Sequence, residues 1–230
     1  QITFGAGGTT TTVIQVGNSS TPTNAGGFDV APVFNTGSGG HIVLHLRSTT
    51  LNRPTGFEIH PSRILTQLTV DNNAAGASLI IAGGDITVTG ALALTNGLVD
   101  TDAYTLIHNG TATRTNGSVE GRLARSYTAA GAYTYHVSKN GYSPVLANVT
   151  AGTFPSSLTV EAFDSLLGGY DPAKTVSRNW DVQETGELTA DLSFTYLDDD
   201  VNGTEADYRV YRRSNGVSTN MCAAAPCVTE

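Results

Sequence analysis

The chain has 230 residues, with 12 Lys+Arg against 20 Asp+Glu, a formal charge of −8, and only 14 % charged residues, where an average soluble domain has about 25 %. Gly is abundant at 26 and β-branched residues are frequent, which disfavours helix; 39 % hydrophobic residues suffice for a core. The acidic balance, with Lys only at Lys139 and Lys174, excludes the clustered cations that nucleic acid or anionic membrane would require, and no apolar run reaches the roughly 18 residues of a membrane-spanning helix.

Residues 1–40 are rich in Gly, Thr, Ser and Asn, with strand-like pieces at Thr11–Val16 and Phe28–Phe34. They predict an extended N-terminal segment that could act as a donor strand for a neighbouring molecule or repeat. The start at Gln1, without a basic region or apolar signal core, fits a processed chain or a fragment.

Residues 41–125 change in texture. Short β-branched pieces recur at His41–Leu46, Ile64–Val70, Ser78–Ile81, Ile86–Thr89, Ala91–Leu94, Leu98–Asp100, Tyr104–Ile107 and Ser118–Glu120. Turn signals such as AGGD, TNG and NG separate them. Pieces this short, closely spaced, predict the coils of a parallel β-helix, in which each strand stacks on the strand one coil earlier. An antiparallel sandwich with tight Asn-Gly hairpins competes with it, because periodicity alone does not separate the two.

Residues 126–230 predict a β-sandwich. AYTYHVSKNGYSPVLANVT reads as two strands joined around Lys139-Asn140-Gly141, and SSLTVEAF as a third. VSRNWDVQ, ELTADLSFTYL and ADYRVYRR follow, with Leu188, Ala190, Leu192, Phe194 and Tyr196 alternating onto one face. Trp180, the sole tryptophan, is the expected core anchor, and Ala162–Leu167 the one short helical candidate. Cys222 and Cys227, separated by AAAP, predict a small disulfide-closed loop and hence an oxidising compartment. Two free thiols in a surface loop are the alternative.

The order of these motifs resembles large bacterial secreted and cell-surface repeat proteins. ITVTGALALTNGLVDTDAYTLIHNGTATRTNGSVEGRLAR is similar to their coil-and-turn pattern. GAYTYHVSKNGYSPVLANVT resembles their hairpin, departing at His136-Val137-Ser138, where Pro-Val-Gly is usual. VSRNWDVQETGELTADLSFTYLDDDVNGTEADYRVYRRSNG resembles their sandwich module. The resemblance spans roughly residues 64–216 and implies a right-handed β-helix followed by a sandwich, in proteins that are mostly non-catalytic adhesion or filament components. That module normally continues into more strands, so with the sequence ending at Glu230 the expectation is either a piece of a longer protein or a last sheet that is incomplete alone, whose open edge would invite strand addition from another chain.

Three constellations could carry chemistry. Asp198, Asp200 and Asn202, ahead of Gly203, form D-x-D-x-N-G, the opening of an oxygen-ligand Ca2+ loop, or else a solvated acidic turn. Arg209 stands where a complete helix-loop-helix calcium loop requires Glu. His41 and His45 share one strand face, with His60 downstream, and could bind a transition metal, while His108 and His136 stand apart. Asp71, Asp85, Asp100 and Asp102 are the carboxylates from which a polysaccharide-cleaving site would be drawn. Asn-X-Ser/Thr triplets at Asn18, Asn109, Asn116, Asn148 and Asn202 are glycan acceptors only if exported.

The expected fold is therefore all-β, a β-helix-like domain over 41–125 and a sandwich over 126–230. The expected function is a non-catalytic extracellular structural or adhesive module that self-associates. The alternative is a carbohydrate-binding or polysaccharide-cleaving β-helix.

Overall fold

The computed structural model describes residues 3–4, 11–16, 33–34, 41–48, 52–72 and 77–222; for strands up to Ser48 and for Arg53, only the backbone is described. It is all-β, and its only helical pieces among the described residues are the single 3-10 turns Asp198–Asp200 and Glu205–Asp207. The expected helix at Ala162–Leu167 does not form. Ala162 is buried on a strand instead, opposite Trp180.

The first part is a parallel β-solenoid. Its leading strands are β1 (Thr3–Phe4), β2 (Thr11–Val16) and β3 (Val33–Phe34). The next coil holds β4 (His41–Ser48), β5 (Arg53–Pro54) and β6 (Ile64–Leu65), followed by β7 (Gln67–Asn72), β8 (Ser78–Ile80) and β9 (Ile86–Val88). Then come β10 (Leu92–Asn96) and β11 (Leu98–His108), and last β12 (Ala112–Arg114) and β13 (Ser118–Tyr127). One face stacks β2, β4, β7, β10 and β12 in parallel. A second stacks β5, β8 and the first parts of β11 and β13, and a third stacks β6, β9 and their second parts. The described strands of residues 1–40 thus pair within the chain itself, β2 with β4 and β1 with β3.

Parallel stacking aligns equivalent side chains into interior ladders. Leu79, Val99 and Val119 form one, Ile86, Leu106 and Leu123 another, and all six are buried. Each fully buried aliphatic side chain contributes about 1.5–3 kcal/mol, so these ladders hold the coils in register. Corners between faces leave little room: a Cβ at Gly110 would lie 1.8 Å from the Gly90 carbonyl oxygen. Outside, the corner residues Asp71, Asn96 and Asn116 form a polar ladder. Asn96 Nδ2 donates to Asp71 Oδ1 at 2.7 Å and Asn116 Nδ2 to Asn96 Oδ1 at 3.2 Å.

The residues of the first face change at the last coil. On the first face Leu68 and Leu92 give way to Ala112, and Val70 and Leu94 to Arg114. There the chain turns back as β14 (Gly131–Tyr135) and β15 (Val137–Ser138), then β16 (Val145–Phe163) and β17 (Asn179–Phe194). β15 adds one more parallel strand beside β13, whereas β16 runs antiparallel to β13 over Leu123–Tyr127. The first part of β16 pairs with β14, and β17 pairs along nearly the whole of β16.

This long hairpin is folded back on itself. A straight strand from Trp180 to Phe194 would span roughly 46 Å at about 3.3 Å per residue. Their ring centroids are 5.1 Å apart. The bend falls where the pairing shifts, between Thr153 and Ser157. There Gly186 adopts φ +94°, and the Ser156 hydroxyl accepts the Glu187 amide at 3.1 Å and donates to the Thr153 carbonyl. What reads in sequence as four separate strands is two bent ones. Val145, Ala147 and Val149 on one arm and Leu158, Val160 and Ala162 on the other all enter one buried core, with Leu188, Ala190, Leu192 and Phe194 of β17 half-covered beside it. ADYRVYRR departs from expectation: it opens with a 3-10 turn and joins the small hairpin of β18 (Tyr211–Ser214) and β19 (Val217–Asn220).

A Cβ at Gly186 would meet Ser156 Oγ at 2.1 Å, whereas one at Gly131 would meet nothing within 4 Å. Gly186→Ala is expected to destabilise by about 1–3 kcal/mol through backbone strain and this clash. Gly131→Ala should be nearly neutral, with thermal unfolding followed by circular dichroism as the comparison.

Candidate functional site

The polar centre of the C-terminal part is Arg178, buried between three chain segments. Its Nε lies 2.5 Å from Asp200 Oδ2 and its Nη2 3.1 Å from Asp200 Oδ1. Nη1 donates to the Lys139 carbonyl at 2.6 Å and to Ser143 Oγ at 3.2 Å, and Trp180 Nε1 donates to the Ser143 carbonyl at 3.0 Å. One guanidinium thus ties the 139–143 turn and the 198–202 turn to the start of β17, satisfying a carboxylate that would otherwise be buried as a bare charge.

The D-x-D-x-N-G residues lie around this guanidinium. Both oxygens of Asp200 are bonded to Arg178. Asn202 Nδ2 donates to the Thr175 carbonyl, to Ser177 Oγ and to the Asp200 carbonyl at 2.8–3.1 Å. Asp198 is exposed. Among the described residues no group of three His, Cys, Asp or Glu side chains is placed to hold a metal. The backbones of His41 and His45 lie in β4, and their side chains fall outside the described residues. His60 Nδ1 lies 2.6 Å from Ser62 Oγ. Cys222 ends the described residues and Cys227 lies outside them, so the expected loop closure lies outside them too.

Of the candidate carboxylates, Asp71 and Asp85 serve local structure at separate places, and Asp100 and Asp102 meet in one turn. Asp71 joins the corner ladder, Asp85 Oδ1 accepts the Thr105 amide at 2.9 Å, and Asp100 Oδ1 accepts the Asp102 amide at 2.9 Å. Sequence reasoning missed a mixed-charge surface where the solenoid meets the hairpin. Glu120 is in register with Asp100, and its Oε1 lies 2.5 Å from Lys139 Nζ. Glu161 faces Asp181 across the β16–β17 pair. Burial, then Asp181, push the Glu161 carboxyl up against the opposing pull of Arg122 and Lys139.

Two histidines that stand apart in sequence are both bound to tyrosines. His108 ends the interior ladder after Leu65 and Val88. Its Nδ1 lies 2.7 Å from the Tyr133 hydroxyl and its Nε2 2.9 Å from the Gly90 carbonyl. Burial lowers its pKa. His136 stacks on Tyr142, with Nδ1 2.7 Å from its hydroxyl, and Arg114 lies 3.5 Å over the same ring. Burial first, then the charges of Arg114 and His108, push His136 down to about 4.

The third feature is the outer edge of β17. Among the described residues this strand pairs only with β16. It carries Asp181, Glu184, Glu187 and Asp191 and no Lys or Arg. Its only legible signal in sequence is the strand alternation of residues 188–196; that its outer edge has no partner among the described residues is a matter of topology.

Comparison with known protein families, curated protein sequences and solved structures finds no match. The fold defines the chain as an all-β protein built on a parallel solenoid. No helix among the described residues is long and apolar enough to cross a membrane.

Arg178→Met is expected to cost roughly 3–5 kcal/mol by stranding buried Asp200, while a calcium chelator should leave the wild-type Tm unchanged. The unfolded chain protonates its histidines near pH 6.5, but the native state resists until about 4 at His136. The stability that neutral His136 contributes is therefore present above pH 6.5 and lost as pH falls toward 4. Tm measured across this window should fall, and His136→Gln should flatten the slope.

Proposed function

We propose that this chain is a non-catalytic structural or adhesive module of an extracellular surface assembly, in which copies or neighbouring repeats join by strand addition. The observation that carries it is the open, sixteen-residue edge of β17. Unpaired edges template further pairing unless they are covered. The parallel stack supports a mechanical role, because every coil is bonded to its neighbours by a ladder. β2 ends the first face of that stack and pairs on one side only among the described residues.

Other parts of the reading rest on less. The folded-back hairpin, with Trp180 on one arm and Phe194 on the other, supports a two-layer sandwich. The motif resemblance supports relatedness to bacterial surface repeat proteins. A Cys222–Cys227 loop would suit an exported chain. Asn148 is exposed and open to glycan attachment, whereas the Asn202 amide is spent on three hydrogen bonds.

A second reading, a carbohydrate-binding or polysaccharide-cleaving β-helix, draws on the charged surface of Asp100, Glu120, Lys139, Arg122 and Glu161. Light scattering over a concentration series, with negative-stain electron microscopy, separates the two. Concentration-dependent filaments or oligomers are expected. A chain that stays monomeric while binding or cleaving polysaccharide would reverse the order of the readings.

A further inference from the structure

The β18–β19 hairpin has little reason to stand where it does. A two-stranded hairpin is marginal in water without a face to pack on, yet every residue of both strands is exposed. Its turn is well specified, with Asn215 at φ +49° and Gly216 at φ +79°, the left-handed pair that a type I′ turn needs. It is moored by few contacts. Tyr170 packs on Tyr211 with centroids 5.8 Å apart, and its hydroxyl donates to Ser218 Oγ at 2.9 Å. Arg213 Nη1 reaches the Gly168 carbonyl at 2.7 Å.

What it leaves in solvent is apolar and basic. Val217 is 66 % exposed and Met221 57 %, with Val210 and Tyr211 also exposed. From Tyr208 to Cys222 the chain has Arg209, Arg212 and Arg213 and no acidic residue. The open edge of β17 is the counterpart: four acids and no base in a chain of net charge −8. Two copies of β17 would repel one another edge to edge. A basic strand would not, and the chain's own hairpin offers one whose outer edges have no partner strand among the described residues.

We infer that the β18–β19 hairpin of one copy adds to the β17 edge of a second copy of this chain. This rests on the self-associating reading above and names its two surfaces. The contact joins different patches on the two copies, so it repeats head to tail, giving an open chain of subunits unless the rotation closes into a ring. Opposite charges steer the register, and added salt weakens them.

The test is a charge-swap cycle on the full chain. Arg209→Glu with Arg212→Glu takes the hairpin from +3 to −1, and Asp181→Lys with Glu187→Lys and Asp191→Lys takes the edge from −4 to +2. Assembly is read by light scattering and electron microscopy, and folding by circular dichroism. Each single-sided variant should stay folded and lose assembly by at least about tenfold in the concentration required, a change of about 1.4 kcal/mol. An equimolar mixture of the two should restore it, because each inverted surface then finds its complement. In the wild-type assembly, hydrogen exchange should slow at β17 amides. Wild-type assembly that is indifferent to both swaps, or a mixture that fails to recover, overturns this interface and leaves self-association standing. A wild-type chain that stays monomeric at every concentration overturns both.

Discussion

A stack of parallel coils has two ends, and each end exposes a row of strand hydrogen-bonding groups beside an open apolar interior. The pairing of β16 with β13 answers this at one end, and much of the rest of the molecule follows from it. β16 runs antiparallel, so it cannot be a further coil; it terminates the third face and carries the chain away from it. The interior changes to receive it. Ala112 and Arg114 stand where earlier coils have Leu or Val, and His108 ends an aliphatic ladder. Tyr127, Tyr133 and Tyr135 close over that end, with the Tyr135 hydroxyl 3.3 Å from the Leu158 carbonyl and Arg125 4.4 Å over the Tyr133 ring. Capping units of this kind are what solenoids need in order to stay discrete.

Because β16 must pair with β13 along one arm and β14 along the other, it is long, and a strand that long has to bend to keep its apolar side inward. Gly186 and Ser156 hold the bend, and β17 bends with its partner. The consequence is that β17 lies outermost in this sheet, with one edge paired to β16 and the other without a partner strand among the described residues. Capping the solenoid thus creates the open edge on which the proposed function rests. The Arg178–Asp200 pair then fixes the loops around the base of β17. A buried ion pair is costly to desolvate, so its value lies in specifying how three segments meet more than in net stability.

Much of the solenoid was legible in the residues. Most pieces between AGGD, TNG and NG turns emerge as strands, but Ile64–Val70 is split by a corner into β6 and β7, Leu98–Asp100 and Tyr104–Ile107 join in β11, and the piece at Ser118–Glu120 runs on to Tyr127. The polar site was less so. D-x-D-x-N-G reads as a cation loop by itself, since the residue that takes up Asp200 lies 22 positions away. Arg178 stands in the S-R-N-W stretch, where its charge is plain but its burial is not. The pairing of His108 with Tyr133 and of Glu120 with Lys139 is equally remote, arising from stacking between coils rather than from spacing along one strand.

By itself the sequence determined the class: few charges, many β-branched residues and frequent Asn-Gly turns leave short strands as the main economical way to bury the apolar residues. It also determined alternation, and so which side of each strand could face inward. Only the tertiary structure decided which strands are neighbours. Local propensity is indifferent to whether SSLTVEAF and the strand before it are two elements or one bent one, because the answer depends on what each edge pairs with. The same holds for Asp200, whose carboxylate would suit calcium or Arg178. In this fold it is buried beside the guanidinium, and burial is a property of the assembled fold.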